Sequence, residues 1–309
     1  MRILFIGVPV VEMGQVTQYN GTLVETDFEY VITNTLDLPD VTYRKLIFYN
    51  TDMNYHKWFT IPKEKIMVGN APAFLNYQTF DVAKPLAEVI REDIQMHLTQ
   101  LSELSIPEEH IAYLKRLKED GFEPKVIYDI GSCVLHWTKV AKELWPDATF
   151  VLFDAFAEAE FLYKGYDYHI GVLSDEEKEV NFYQNEYHPG GNSYYREIGS
   201  YAPDYYFPKN KFIRKRTFTL DKVVKERGFP LPDFIKMDVQ GCEMDILRGG
   251  IETVKHASRL IVELQHMEYN EGAMQASESV PIIEGMGFKC VDPMFTNAGP
   301  DGDYGFLKV

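Results

Sequence analysis

The most constraining feature of this sequence is a regular alternation of short apolar runs and amphipathic segments after residue 124. Strands are predicted at residues 125–130, 149–153, 234–237, 260–264, 288–291 and 304–309, and helices at residues 137–144, 244–247 and 279–286. A strand, a crossing helix and a further strand close most readily into a parallel sheet with helices on both faces. We therefore predict an α/β fold with a doubly wound, mostly parallel sheet. The last two runs are close in sequence and predict a terminal antiparallel hairpin.

The residues before this alternation have a different pattern. Short apolar runs separated by turn residues predict a small β-rich accessory region. From Leu86 the apolar period becomes helical, with Asp93 among the charged residues on the polar face. A second helix is predicted through about Lys118, begun by a capping box of Ser105 and Glu108. The predicted organisation is a β-rich accessory or cap region at 1–80, a helical linker at 81–124 and the main domain at 125–309.

Charge and cysteine content limit the partners of the protein. The 309 residues include 47 acidic and 31 basic side chains, which gives a formal net charge of −16 at pH 7. A field of this sign disfavours phosphate backbones and anionic membrane surfaces, so we expect a small-molecule or glycan partner, no nucleic acid and no membrane. Cys133, Cys242 and Cys290 suit neither a disulfide framework nor a zinc site, and no targeting or transmembrane pattern is present. These features predict a cytoplasmic protein, and the oligomeric state stays open.

The first predicted strand of the main domain ends in an Asp-Ile-Gly-Ser turn at residues 129–132. Doubly wound folds bring a nucleotide to the carboxyl edge of the sheet at such a turn. Gly131 would let the backbone approach the ligand, and Asp129 would accept a hydrogen bond from an amino or hydroxyl group. The dinucleotide fingerprint needs glycines where this chain has Cys133 and His136, which disfavours a nicotinamide cofactor.

Two further apolar strands end in acidic residues. Asp154 follows the next predicted strand, where a carboxylate usually holds ribose hydroxyls. Asp238 ends the strand at 234–237 and is followed by a glycine turn and by Glu243, whose charge suits a helix start. Because the carboxyl ends of parallel strands meet at one edge, we expect Asp238 to lie beside Asp129.

The region from residue 125 to 309 resembles the FkbM family of methyltransferases, because four segments occur in the family's order. They are Asp129-Ile130-Gly131, Thr219-Leu220-Asp221, the run from Ile235 to Glu243, and Ile261-Val262-Glu263. The resemblance implies a class I, Rossmann-like methyltransferase fold. It also implies transfer of a methyl group from S-adenosylmethionine, typically to a hydroxyl oxygen of a sugar or polyketide.

Two positions depart from the pattern of that family. Its glycine loop usually has a second glycine where this chain has Leu135, and the leucine side chain is expected to crowd a contact between backbone and ligand. Its usual Asp-Val-Glu-Gly has Gln240 in place of the glutamate, which removes one carboxylate. A non-catalytic binding module with a methyltransferase-like fold therefore remains an alternative, and a nicotinamide-dependent oxidoreductase is a weaker one.

Methyl transfer to oxygen needs alignment of the reacting atoms and removal of a proton. The candidate catalytic residues near the predicted edge are Asp238, Glu263 and His266, of which the histidine titrates nearest to neutral pH. The same three side chains could instead hold a divalent ion that acidifies the acceptor hydroxyl, but the sequence fixes no metal geometry.

An aromatic insertion is predicted to be a lid or hairpin. Residues 183–207 contain seven of the 20 tyrosines, interrupted by glycine and proline. Flat rings with hydroxyl tips suit a polyhydroxylated acceptor, and a packing or oligomer contact is the alternative. The sequence thus predicts an O-methyltransferase for a sugar, glycan or similar small molecule, with S-adenosylmethionine as cofactor. The predicted cofactor-binding residues are Asp129, Gly131, Ser132 and Asp154.

Overall fold

The computed structural model describes residues 2–6, 15–19, 27–33, 38–48, 65–69, 78–80, 84–200, 202–296 and 299–309. The chain divides into two compact units, Met1–Ile94 and Gln95–Val309. Within the described ranges, no helix combines the length and the apolarity needed to cross a bilayer.

The first unit contains a parallel sheet. Its described strands are β1 (Arg2–Ile6), β2 (Gln15–Gln18), β3 (Asp27–Thr33), β4 (Thr42–Phe48), β5 (Ile66–Gly69) and β6 (Gln78–Phe80). The spatial order is β2-β1-β3-β4-β5-β6, with parallel pairing throughout. Leu4, Val31, Leu46 and Val68 contribute to its apolar core. These strands agree with the β-rich pattern of the sequence.

Helix α1 (Leu86–Ser102) begins in the first unit and carries an unexpected buried charge. Asp93, which was expected on the polar face, is only 2% exposed. Its carboxylate accepts hydrogen bonds of 2.5 Å from the Tyr30 hydroxyl and from Arg44, and Lys45 lies 3.2 Å away. The expectation for Asp93 was wrong because two cations and a hydroxyl from β3 and β4 satisfy this charge inside the unit.

The second unit is built on a seven-stranded sheet with the order β15-β16-β14-β13-β7-β8-β9. Its strands are β7 (Val126–Ile130), β8 (Thr149–Asp154), β9 (Asp167–Ile170), β13 (Phe234–Met237), β14 (Arg259–Gln265), β15 (Phe288–Asp292) and β16 (Asp301–Lys308). The five strands from β14 to β9 pair in parallel. A smaller sheet joins β10 (Val172–Leu173), β12 (Ile213–Phe218) and β11 (Glu179–Phe182) in that order.

Helices connect these strands. They are α2 (Glu108–Glu119), α3 (His136–Leu144), α4 (Pro203–Tyr206), α5 (Leu220–Arg227), α6 (Glu243–Gly249), α7 (Ile251–Val254) and α8 (Ala276–Gly285). The predicted capping box is wrong, because the Ser105 hydroxyl donates to the Ile106 carbonyl at 3.1 Å and α2 starts after Pro107 without a side-chain cap. Proline at this position has no N–H to satisfy and already has a fixed φ.

The predicted terminal hairpin is confirmed. Strand β16 pairs antiparallel with both β14 and β15, so β15 forms the edge of the sheet. In this register Asp303 stands opposite Glu263, and Asp301 opposite Gln265. The doubly wound, mostly parallel α/β fold is therefore confirmed, and the hairpin brings two aspartates to the carboxyl edge of the sheet.

Candidate active site

The carboxyl ends of β7 and β13 meet at the centre of the second unit's sheet. Gly131, directly after β7, packs against the backbone of Asp238, directly after β13. A Cβ atom on Gly131 would lie 1.7 Å from the Asp238 carbonyl oxygen, and the glycine has a φ of +83°. Residues that carry a side chain rarely adopt such a φ. Both the backbone conformation and the close contact with Asp238 therefore require a glycine at this position.

Two cavities adjoin this contact, and Gly131, Cys133 and Asp238 line both of them. The first cavity encloses about 620 Å³ including its open mouth, and the second about 970 Å³. The wall of the first cavity also includes Asp154, Val172, Leu173, Phe182, Asn192 and Gln240. The wall of the second cavity also includes His110, Trp137, Lys236, Glu263, Thr296 and Asp303.

Asp154 is fixed on the wall of the first cavity by the backbone around it. One carboxylate oxygen accepts a hydrogen bond from the Cys133 N–H at 2.7 Å, and the other from the Phe156 N–H at 2.8 Å. Burial raises the pKa of Asp154, and these two N–H groups oppose that rise. Each carboxylate oxygen keeps a second lone pair, so Asp154 can still accept hydrogen bonds from a diol in the cavity.

Asp129 lies beneath the site rather than on its surface. Its side chain is fully buried and lines neither cavity. One oxygen accepts from the Thr138 hydroxyl at 2.5 Å, and the other lies 3.4 Å from the Lys236 ammonium. Ser132 is also buried; it donates to the Asp129 carbonyl at 2.7 Å and accepts from the Phe153 N–H at 3.2 Å, and it lines the second cavity.

Lys236 is a functional candidate that sequence reasoning missed. It is 4% exposed, and its ammonium lies 3.4 Å from Asp129, 3.3 Å from Asp238 and 3.1 Å from the Gly131 carbonyl. Burial lowers the pKa of Lys236, but the two carboxylates outweigh burial and hold it above its usual value. A single lysine inside an otherwise apolar strand was the signal available in the sequence.

The pKa values of Asp238 and Glu263 are shifted in opposite directions although both residues lie at the edge of the sheet. Burial alone would raise the pKa of Asp238, but Lys236 and hydrogen bonds lower it overall. Burial and the neighbouring Asp238, Asp301 and Asp303 raise the pKa of Glu263 well above its usual range. Of the two acids, Glu263 therefore holds its proton more tightly than Asp238 does.

Gln240 links this pair to the first cavity. Its side-chain amide donates to Glu263 at 2.7 Å and to Asp238 at 3.2 Å. A glutamate at this position would instead place a third carboxylate between the two acids. The departure from the family pattern thus supplies a neutral donor where like charges already crowd.

The carboxylate of Glu243 caps backbone N–H groups in the turn after β13. One of its carboxylate oxygens accepts from the Val239 N–H at 2.9 Å and from the Gly241 N–H at 3.2 Å. Burial raises the pKa of Glu243 to about 7. These bonds hold the turn after β13 and hence the position of Asp238.

His266 is not brought to the two cavities. Its Nε2 atom lies 2.6 Å from the Gly299 carbonyl oxygen, and its backbone N–H donates to Pro300 at 2.9 Å. The residue lines neither cavity. Of the three predicted catalytic side chains, the structure therefore brings together Asp238 and Glu263 but not His266.

A different histidine faces the second cavity. The Trp137 indole N–H donates to Nε2 of His110 at 2.8 Å, so the ring proton lies on Nδ1, 3.1 Å from Asp303. Thr296 donates to the same carboxylate at 2.6 Å. These hydrogen bonds hold Asp303 in place, and they leave His110 without a free acceptor nitrogen. Sequence reasoning missed His110, whose helix lies far from β16 in the sequence.

The described residues contain no group of three or more His, Cys, Asp or Glu side chains arranged to hold a metal ion. The metal alternative for Asp238, Glu263 and His266 thus has no geometric support, and Lys236 already supplies the positive charge between Asp129 and Asp238.

The described tyrosines of the aromatic insertion lie outside both cavity walls. Tyr194 and Tyr195 donate to Asp245 of α6 at 2.8 and 2.9 Å, which ties the insertion to that helix. Tyr201 lies outside the described residues. No described tyrosine of the insertion lines either cavity, so the predicted stacking of these rings on an acceptor has no support there. The segment 189–193 forms part of the first cavity instead.

Leu135 adopts a left-handed conformation, with a φ of 69° and 4% exposure. It precedes α3 and lines neither cavity. The side chain is buried and lines neither cavity, so the expectation that it crowds the ligand has no support from the cavity walls. Leu135 thus keeps a backbone conformation that glycine usually adopts, which costs some conformational energy.

The doubly wound sheet, with acidic side chains at the ends of β8 and β13 around one site, is the framework of a methyltransferase. The chain belongs to the family of FkbM methyltransferase domains, whose family model matches residues 129–290, more than half of the chain. A search of curated proteins found no match.

Solved methyltransferase structures match this chain at low identity and low TM-score. Human N-acetylserotonin methyltransferase in complex with SAM has 11% identity and a TM-score of 0.38, and the match covers 74% of this chain and 60% of the human chain. A methyltransferase FkbM from Methylobacillus flagellatus KT has 8% identity and a TM-score of 0.38, covering 99% of this chain and 89% of the other. Values this low say nothing about the acceptor.

Proposed function

We propose that this protein is an S-adenosylmethionine-dependent O-methyltransferase that acts on a hydroxyl of a sugar, glycan or similar polyhydroxylated small molecule. The observation that carries the proposal is that both cavities meet at Asp238. A methyl donor in the first cavity and an acceptor in the second would face each other across this carboxylate.

The walls of the first cavity fit a nucleoside. Asp154 offers carboxylate oxygens to ribose hydroxyls, and Val172, Leu173 and Phe182 offer apolar surface to a flat base. Gly131 and Cys133 bring the loop after β7 close to the ligand. Ser132 and Asp129 support that loop from beneath through their mutual hydrogen bond and through Lys236.

The second cavity fits an uncharged hydroxylated acceptor. Its polar wall contains Glu263, whose raised pKa favours the protonated form that can donate a hydrogen bond, and Asp238, whose lowered pKa favours the carboxylate that can only accept. Trp137 contributes an aromatic surface of the kind that packs against a sugar ring. The ionised acids also repel phosphates, in agreement with the acidic balance of the whole chain.

When bound, S-adenosylmethionine would supply an electrophilic methyl group on a positively charged sulfur. Asp238 would orient the acceptor hydroxyl and accept its proton as the oxygen–carbon bond forms and the sulfur–methyl bond breaks, with its electron pair returning to sulfur. The low pKa of Asp238 keeps it ionised throughout the neutral range, and Lys236 holds it in position. Glu263 would hold a second hydroxyl of the acceptor, and Gln240 keeps the two acids together.

Calorimetry tests the cofactor half of this proposal. The protein should bind S-adenosylhomocysteine and not NADH, and Asp154→Ala should weaken binding by about tenfold, as expected for lost hydrogen bonds to a charged group. Asp147→Asn, a change at an exposed carboxylate outside both cavities, is the matched control. Binding of NADH alone would indicate an oxidoreductase, and binding of neither would indicate a non-catalytic module.

Labelled methyl transfer to a panel of glycans and small alcohols tests the acceptor half. Asp238→Asn should retain binding of S-adenosylhomocysteine and lose turnover, because the amide cannot accept the proton. A fully active Asp238→Asn variant would remove this carboxylate from the mechanism.

The three unpaired cysteines suit the reducing cytoplasm in which we place this reaction.

A further inference from the structure

The loop segment 185–193 contains a buried hydrogen-bond donor without a protein partner. The side-chain Nδ2 of Asn192 is shielded from solvent, has no hydrogen-bond acceptor among the described residues and belongs to a wall residue of the first cavity. A buried amide donor left unsatisfied costs about 1–3 kcal/mol. Such groups in folded proteins nearly always meet an acceptor.

The orientation of this amide is fixed by its other end. The Asn185 backbone N–H donates to Oδ1 of Asn192 at 2.7 Å. Turning the amide over would place two donors against each other, so Nδ2 must occupy the remaining position.

The loop that presents Asn192 is itself held rigidly. Oδ1 of Asn185 accepts from the N–H groups of Tyr187 and His188 at 2.9 and 3.2 Å, and its amide donates to the Tyr206 carbonyl at 3.0 Å. Gly191 is packed so closely that a Cβ atom there would lie 2.3 Å from a carboxylate oxygen of Glu197. The donor is therefore preorganised, which reduces the entropy lost on binding.

The surroundings indicate which part of a ligand would accept this bond. Asn192 and Phe182 flank the β-bridge between Tyr183 and Ser193, and both line the first cavity. Phe182 is buried and apolar, so this wall suits a flat heteroaromatic ring. Hydroxyl groups of the same ligand would be held by Asp154, a carboxylate on the same cavity.

We propose that Asn192 is a specificity-determining residue that donates a hydrogen bond from Nδ2 to a ring nitrogen of the adenine base. This inference rests on the proposed cofactor, S-adenosylmethionine. The inference gives the aromatic insertion a role in recognising the adenine base, because residues of its segment 189–193 line the first cavity. A ring nitrogen replaced by C–H would offer no acceptor and would leave the amide unsatisfied.

The test measures binding of S-adenosylhomocysteine and its 1-deaza, 3-deaza and 7-deaza analogues to wild type and to Asn192→Asp. The aspartate still accepts from the Asn185 N–H, but it presents an oxygen where the amide donated. Wild type should bind one of the three analogues about tenfold more weakly than the parent compound. Asn192→Asp should bind the parent about tenfold more weakly and no longer discriminate against that analogue.

Asn210→Asp, at an exposed turn, is the control for the added charge and should behave as wild type. Equal binding of all four ligands by wild type would overturn the inference, as would unchanged discrimination by Asn192→Asp. In both of those cases the proposed function would stand. Failure of wild type to bind S-adenosylhomocysteine at all would remove the proposed function together with this inference.

Discussion

Replacing Lys236 by methionine should destabilise the second unit far more at pH 7.5 than at pH 5. The substitution keeps the length and most of the volume of the side chain but removes the charge between Asp129 and Asp238. It also removes the hydrogen bond to the Gly131 carbonyl.

The magnitude follows from the burial of the two acids. Breaking a buried ion pair by removing one partner costs about 3–5 kcal/mol. Asp129 has no exposure at all, whereas the side chain of Asp238 is 35% exposed and can be hydrated. We therefore expect a loss of about 3 kcal/mol at pH 7.5, most of it from Asp129.

The pH dependence has a definite sign. Burial already raises the pKa of Asp129 with Lys236 present, and removing the lysine raises it further. A carboxyl group with a raised pKa in the folded state binds its proton more tightly there than in the unfolded chain. Its unfavourable effect is therefore present at neutral pH and disappears as the pH falls through the folded-state value. The difference from wild type should narrow at pH 5.

Urea unfolding followed by tryptophan fluorescence measures this effect. Trp137 and Trp145 are buried in the second unit, and a Trp58→Phe background removes the remaining tryptophan signal. Lys118→Met, which breaks a more exposed ion pair with Glu123, should change stability by less than about 1 kcal/mol. Adding Asp129→Asn to Lys236→Met should restore stability at pH 7.5. A loss of equal size at both pH values, unaffected by Asp129→Asn, would refute the electrostatic reasoning.

Three further substitutions test the geometry of the site. Gly131→Ala should abolish binding of S-adenosylhomocysteine and lower stability by about 2 kcal/mol or more, because no rotamer relieves the overlap with Asp238; unchanged calorimetry would contradict this close approach. Gln240→Glu should move the acid limb of the pH–rate profile to higher pH, because a third carboxylate raises the pKa of Asp238; an unmoved limb would argue against Asp238 as the ionised base. Leu135→Gly should lower stability by about 1–3 kcal/mol yet leave affinity for S-adenosylhomocysteine within twofold, because the leucine packs inside the unit; a large gain in affinity would restore the view that it obstructs the ligand.

The parts of the fold that depend on chain periodicity were predictable. Parallel strands linked by helices end at one edge, so the sequence alone places Asp154 and Asp238 at that edge, and both side chains line the first cavity. Asp129 shows the limit of this reasoning. It ends a strand of the same sheet, but its side chain is buried beneath the edge because Thr138 and Lys236 satisfy it there.

Contacts between distant segments were not predictable from local patterns. His110 reaches Asp303 across 193 positions of sequence, and no periodicity in α2 marks that contact. The insertion was expected to present tyrosine rings, whereas Pro189, Gly190, Asn192 and Ser193 line the first cavity. Composition reveals an aromatic segment but not which of its residues face a cavity. That outcome depends on side-chain packing.

The placement of β16 has a consequence for the order in which the site is assembled during synthesis. The strand inserts between β14 and β15, so the sheet keeps an open position until Lys308 has left the ribosome. The walls of the first cavity come from residues 130–246, whereas the second needs Thr296 and Asp303. A nascent chain can therefore build the walls of the first cavity while part of the second cavity is still being translated. During that interval the edge of β14 that later pairs with β16 would be open to mispairing with a strand of another chain.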